Sequence, residues 1–269
     1  MKKIIRNLHL VWLFTATNWQ THSQNRIGAI SWIINGAITP MLMMSIWLVV
    51  GNRQQLSMNS SQIVTYYLLT IIVSRITGSW SLYKIGALVR SGDFSNTLIK
   101  PFSYLIEILS HTLGVKLLSL ISLAPVIAIL AFVLKDSLVL TVSLTTGLLL
   151  ALSLIMGFLI KFFWSNLLGL LTFWLGEYHS VDNLDSLLGQ TLSGELIPLA
   201  LAPLLLQSLI SYTPYRFIIS FPIELALGQI TTPRIIEGFL IGGLYLSLLF
   251  LLNKIIYRAG LRKYGAYGH

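Results

Sequence analysis

The sequence predicts an all-α integral membrane protein with six transmembrane helices. Three observations carry that expectation. Of 269 residues, 55% are hydrophobic and only 10% charged, whereas ordinary soluble domains carry roughly 25% charged residues. Several apolar runs approach the ~20 residues that cross a bilayer, and inside lipid the backbone must satisfy its own hydrogen bonds, which makes those runs helices. The basic residues gather at the ends of these runs, where the positive-inside rule puts them. The net charge of +9 therefore reads as a membrane pattern and not as a nucleic-acid surface. With no cysteine, disulfides and thiolate metal sites are excluded. The segment Met1 to Phe14 has a basic start, but His9 interrupts its short apolar run and no A-x-A site comes after it. It does not read as a signal peptide.

Residues 3–22 come first. Ile4, Leu8, Val11, Trp12, Thr15 and Trp19 recur near helical spacing behind Lys2, Lys3 and Arg6. This predicts an interfacial helix with tryptophans at headgroup depth. A first span follows at 27–50, a polar outer loop at 51–61 and a second span at 63–83, whose inner end is marked by Lys84 and Arg90. Arg75 lies within that span. An arginine at mid-bilayer costs about 2.5–3.5 kcal/mol, so it faces a substrate or subunit, or snorkels to the inner surface.

The polar stretch Arg90-Ser91-Gly92-Asp93-Phe94-Ser95-Asn96-Thr97-Leu98-Ile99-Lys100-Pro101 comes next. It cannot live in hydrocarbon and reads as a handle for another protein. Pro101 suits the first turn of a helix. Phe102, Leu105, Ile106 and Leu109 then recur at helical spacing, with Glu107 and His111 on other faces. These predict a short amphipathic helix ahead of a third span at 115–134. After the turn Lys135-Asp136 a fourth span runs over 138–160 and ends at Lys161. A fifth, 166–190, fades through Glu177, His179, Asp182 and Asp185.

Pro198, Pro203, Pro214, Pro222 and Pro233 crowd residues 196–233. Proline-broken apolar segments are packed within protein or re-entrant. A sixth span covers 235–256, with the small-residue face Gly238-x-x-x-Gly242 suited to close helix packing. Charge sets the orientation. Lys2, Lys3, Arg6, Arg26, Lys84, Arg90, Lys100, Lys161, Lys254, Arg258, Arg262 and Lys263 fall on the inner segments, where only Asp93 and Glu107 oppose them. The outer segments carry mainly carboxylates. Both termini are thus expected inside, which requires Leu196–Ile210 to be re-entrant, because a full crossing there would put the basic tail outside.

Catalytic patterns are missing. There is no G-x-x-x-x-G-K-[ST], no H-E-x-x-H and no G-x-S-x-G, so neither a P-loop nor a hydrolase site is expected. Glu177 and His179, at i and i+2, do not share a helix face.

Three stretches resemble a known family. Arg90-Ser-Gly-Asp-Phe through Leu98-Ile-Lys-Pro101 is similar to the cytoplasmic loop of ABC-2 type permeases, in the bacterial subfamily with an SG-x-h-x-x-x-L-h-[RK]-P pattern, where h is apolar. Ser193-Gly194-Glu195-Leu196-Ile197-Pro198, followed by Pro203, Pro214 and Phe221-Pro222, resembles that subfamily's proline-rich segment. Arg258-Ala-Gly260-Leu-Arg262-Lys-Tyr264-Gly-Ala-Tyr-Gly268 resembles its basic, glycine-rich tail. Asn96-Thr97 departs from the pattern, where an apolar residue is commoner.

The resemblance implies an amphipathic elbow helix over 1–26 and a cytoplasmic coupling helix within 90–111. It implies a multi-pass permease of the bacterial cell membrane with both termini cytoplasmic, exporting a substrate. Two copies of a separate ABC ATPase would hold ATP and Mg, and a second permease, same or related, would complete the assembly. No cofactor and no catalysis are expected in this chain itself. Arg90, Gly92, Asp93, Lys100, Pro101, Phe102, Leu105, Ile106 and Leu109 are the expected ATPase-coupling residues, with Arg75 and Glu177 as pathway or subunit contacts. The rival expectation is a secondary transporter or channel that needs no ATPase; such proteins place paired charges at mid-membrane.

Overall fold

An apolar chain has few ways to pair its backbone, and the computed structural model is helical. It describes residues 2–23, 26–53, 56–139 and 143–264, and no strand occurs among them. Helix α1 (Lys2–Ser23) is followed by α2 (Arg26–Arg53), α3 (Ser60–Thr77), α4 (Ser81–Ser91), α5 (Phe94–Leu98) and α6 (Tyr104–Val133). Then come α7 (Leu144–Leu170), α8 (Thr172–Leu175), α9 (His179–Leu192), α10 (Leu204–Ser211), α11 (Ser220–Ala226) and α12 (Thr232–Lys263). Among the described residues, four stretches are long and apolar enough to cross a bilayer: Ser60–Ser91, Tyr104–Val133, Leu144–Leu175 and Thr232–Lys263. A shorter apolar stretch, Gly36–Gly51, lies in α2. These make the chain a multi-pass, all-α membrane protein.

Helix α1 lies along the first half of α6. The Thr15 hydroxyl donates to the Ser110 carbonyl at 3.4 Å, and the Phe14 and Phe102 rings meet at 5.1 Å. Helix α12 packs on α7 and α11 through the face formed by Gly238 and Gly242. A Cβ at Gly238 would run into the Phe221 ring, and one at Gly242 into the Met156 sulfur.

The second predicted span is not one helix. A capping box starts α3: the Asn59 side chain accepts from the Gln62 amide at 2.8 Å, and Gln62 returns the bond to the Asn59 amide at 3.0 Å. The helix stops at Gly78, and α4 begins three residues later. The break is closed from outside. The Lys116 ammonium on α6 donates to the carbonyls of Arg75, Ile76 and Gly78 at 3.2, 2.5 and 2.7 Å. A cation suits this helix end, where unpaired carbonyls and the helix dipole both favour positive charge.

Three further boundaries move. The predicted short amphipathic helix and third span are one helix, α6, capped by Ser103, whose hydroxyl accepts from the Leu105 amide at 3.3 Å. Pro101 therefore precedes the helix instead of opening it. The predicted end of the fourth span at Lys161 falls inside α7. Lys161 has no need to reach the surface, because its ammonium meets the Asp185 carboxylate at 2.7 Å. The predicted fifth span is reduced to α9. At 1.5 Å per residue, its 14 residues rise only about 21 Å, short of a ~30 Å hydrocarbon core.

The proline-rich segment enters the bundle, but over different residues than expected. Helix α10 is exposed along Leu204, Leu205 and Leu209. Residues 214–227 are the buried part. Tyr215, Ile218, Ile219, Ile223 and Leu227 pack with Ile63, Tyr66, Tyr67 and Val73 of α3, while Phe217, Phe221 and Leu225 pack with Met156, Ile160 and Leu249. Irregular backbone at such depth must find partners. The Tyr66 hydroxyl donates to the Gly194 carbonyl at 2.8 Å. The Tyr67 hydroxyl and the Trp47 indole donate to the Leu196 carbonyl at 2.9 and 3.1 Å.

Candidate functional site

Residues 92–103, with the short helix α5 inside them, form a loop region pinned by one aromatic plug. Helix α4 ends at Ser91, and Gly92 takes the left-handed conformation at φ 81°, which glycine adopts without the Cβ clash that other residues meet. This turn aims Phe94 inward. The ring is fully buried, with ring centroids of Phe173, Tyr264, Tyr104 and Tyr257 at 5.2, 5.8, 6.1 and 6.5 Å. Below it, Tyr104 and Tyr257 stack at 4.2 Å and 13°. A buried amide network continues the layer: Asn166 donates to the Tyr104 hydroxyl at 3.0 Å and to Asn253 at 2.5 Å, and Asn253 donates to the Phe163 carbonyl at 2.8 Å. The loop is thus seated on α6, α7, α8 and α12 together.

The loop's outer side is charged and apolar at once. Arg90, Asp93 and Pro101 are exposed. So are Leu98 at 41% and Ile99 at 84%. The Asp93 carboxylate accepts from the Ser91 hydroxyl at 2.7 Å, and Lys100 pairs with Glu107 at 2.8 Å. The apolar face predicted to dock a partner lies elsewhere. Phe102 is half-buried against Phe14 of α1, and Leu105 and Leu109 pack onto the cluster around Ile85, Phe94 and Ile108. Ile106 is half-buried. Spacing revealed that face but not that α1 covers part of it. The free apolar surface is Leu98 and Ile99, two residues of the polar stretch 90–101 whose adjacency there was the available signal.

A second feature lies beside the α3–α4 break. A cavity of ≈340 Å³ is lined by Ser74, Arg75, Ser79, Trp80, Lys161, Asp182, Asp185, Gln190 and Glu195, among others. Asp185 is its organised centre. It takes the Lys161 ammonium at 2.7 Å on one oxygen and the Trp164 indole and Tyr215 hydroxyl, both at 2.8 Å, on the other. Arg75, singled out from sequence, lines this cavity. Glu177 does not. It accepts from the amides of His179 and Ser180 at 2.9 and 3.2 Å, closing the start of α9. Hydrogen bonding from Ser180, opposed by desolvation and aided by the His179 amide, holds its carboxyl below the usual range. Lys161, Asp185 and Glu195 were not legible as a group, because α9 brings the acidic residues to α7 only in the folded chain.

The cavity, lined by charged and hydroxyl side chains, can hold polar matter within an apolar bundle. Among the described residues, no group of three or more potential metal ligands occurs. A family model described as ABC-2 family transporter protein matches residues 33–268. No curated protein matches the chain.

Proposed function

The chain belongs to the ABC-2 transporter family, and from this premise we propose that it is the membrane permease of an exporter driven by ATP hydrolysed on a separate subunit. The observation that carries the reading is the exposed Leu98–Ile99 pair, on a stretch that also carries Arg90, Asp93 and Lys100 and whose Phe94 is buried among the helix ends. An apolar tip with a charged rim suits a groove on a protein partner. Two ATPase copies would come together on binding ATP and displace the loops of two permeases, same or related. The seat of Phe94 would pass that displacement to the bundle. Such a drive works only if the partner binds one packing of the bundle better than the other.

In this reading both termini are cytoplasmic, in the cell membrane. Helix α9 and residues 193–203 together make the fifth of six crossings, a reading supported by the bonds that Tyr66, Tyr67 and Trp47 donate to the Gly194 and Leu196 carbonyls. Gly92 shapes the loop and Pro101 ends it. Phe102, Leu105, Ile106 and Leu109 brace it from below instead of meeting the ATPase directly. Arg75 lies on the pathway, and Glu177, at the exposed start of α9, is a subunit contact.

One observation favours an ATP-independent transporter: a broken helix beside a charged cavity is how such proteins build binding sites. Purification from the native membrane in mild detergent, with mass spectrometry of the co-purifying proteins, separates the two. A P-loop ATPase in near-stoichiometric amount is expected. Its repeated absence from an active preparation would leave the ATP-independent reading.

A further inference from the structure

The last helix ends on the loop, not merely near it. Tyr264 closes α12 and reaches across 169 and 172 residues of sequence to the turn that Gly92 begins. Its hydroxyl donates to the Gly92 carbonyl at 2.5 Å and accepts from the Ser95 amide at 3.2 Å. Its ring sits against Phe94 at 5.8 Å and Phe173 at 5.5 Å. The loop is joined by the chain to α4 and α6 alone. Through Tyr264 it also holds α12.

We propose that Tyr264 is a positioning residue that makes α12 a direct output of the loop, so that displacing residues 90–101 moves α12 along with α4 and α6. The proposal rests on the permease reading above. Three features argue for it. Both bonds go to main-chain atoms of one turn, so they report the turn's position whatever side chains it carries. One bond is given and one received, which fixes the phenol in two directions; the turn cannot shift without carrying Tyr264 or breaking both. Helix α12 is in turn tied to α7 by Asn253 and Asn166 and to α6 by the Tyr257–Tyr104 stack. A pull at Tyr264 therefore acts on a helix braced to its neighbours and not on a loose tail.

The absence of cysteine allows the test to be made with introduced spin labels alone. In the purified complex with its ATPase, in lipid nanodiscs, one label pair joins α7, which the chain does not connect to the loop, to α12 (Leu148→Cys with Leu244→Cys), and a control pair joins α6 to α7 (Ile129→Cys with Leu148→Cys). All three positions are exposed. Distances are read without nucleotide and with ATP trapped by vanadate, in the native sequence and in Tyr264→Phe, which keeps the ring and removes the hydroxyl.

The expected result is a nucleotide-dependent change in the α7–α12 distance that falls at least twofold in Tyr264→Phe, with the ATPase still bound and the change at the control pair the same in both proteins. An equal change in both proteins overturns the proposal. So does an α12 that stays still in the native sequence while the control pair moves, a result that needs no variant. Loss of the change at both pairs with the ATPase retained also overturns it, because Tyr264 would then support the loop as a whole. Failure to recover any ATPase would instead sink the permease reading, and this inference with it.

Discussion

Replacing Ile99 by aspartate separates docking from folding. Ile99 is 84% exposed, so its side chain contributes almost nothing to the folded chain by itself. Surface changes of this kind stay within about 0.5 kcal/mol of stability. In the assembled complex the same side chain would be covered by the ATPase. Full burial of an isoleucine is worth about 1.5–3 kcal/mol, and nearly all of that is still unrealised in the free permease. Ile99→Asp removes it and adds a carboxylate that must be desolvated. The ATPase should therefore bind on the order of 10- to 150-fold more weakly, with the permease melting curve unmoved. Biolayer interferometry of the ATPase on permease held in nanodiscs reads the first quantity, and thermal unfolding in detergent reads the second. An affinity within about threefold of the native value would refute the assignment of the tip as the docking surface.

The remaining expectations concern the seat beneath the tip and the cavity. Phe94→Ala empties a fully buried site among four aromatic rings. It should destabilise the chain by about 3–5 kcal/mol, read as a lowered melting temperature, the reverse of the Ile99 pattern. Asp185→Ala strands the Lys161 ammonium, whose side chain is 17% exposed, and should cost about 3–5 kcal/mol. Replacing both partners, with Lys161→Met and Asp185→Leu, should cost clearly less; an equal or larger loss would mean that the pair itself stabilises the bundle. Glu177 titrates below its ordinary value in the folded chain. Its support for the first turn of α9 is therefore present above the ordinary carboxylate range and disappears as pH falls through the lower folded value. Amide exchange at His179 and Ser180, corrected for intrinsic rate, should rise on acidification, and Glu177→Gln should abolish that pH response.

The membrane class was legible because it depends on sums: few charges, long apolar runs, basic residues at their ends. Position along the chain was legible where a glycine face signals locally, as at Gly238 and Gly242. What sequence could not show was compensation from afar. Lys161 looks like the end of a span until Asp185 is brought beside it from 24 residues away. Phe102, Leu105 and Leu109 look like a docking face until Phe14 and the Phe94 cluster occupy it. The proline-rich segment reads as re-entrant over 196–210 on hydropathy, whereas α10 there is exposed and the aromatic run 214–227 fills the core. Hydropathy measures the wish to leave water and does not distinguish lipid from protein as the destination.

The closure of α3 by Lys116 bears on how the chain is assembled in the first place. The carbonyls of Arg75, Ile76 and Gly78 leave the ribosome before their partner, which lies 38 residues beyond Gly78. Bare carbonyls in hydrocarbon cost several kcal/mol each. Until α6 is synthesised, residues 78–80 must stay wound as helix or remain beside water. Away from water the break is closed only when α6 arrives with its lysine, so the two helices on either side of the loop depend on each other for their final shape.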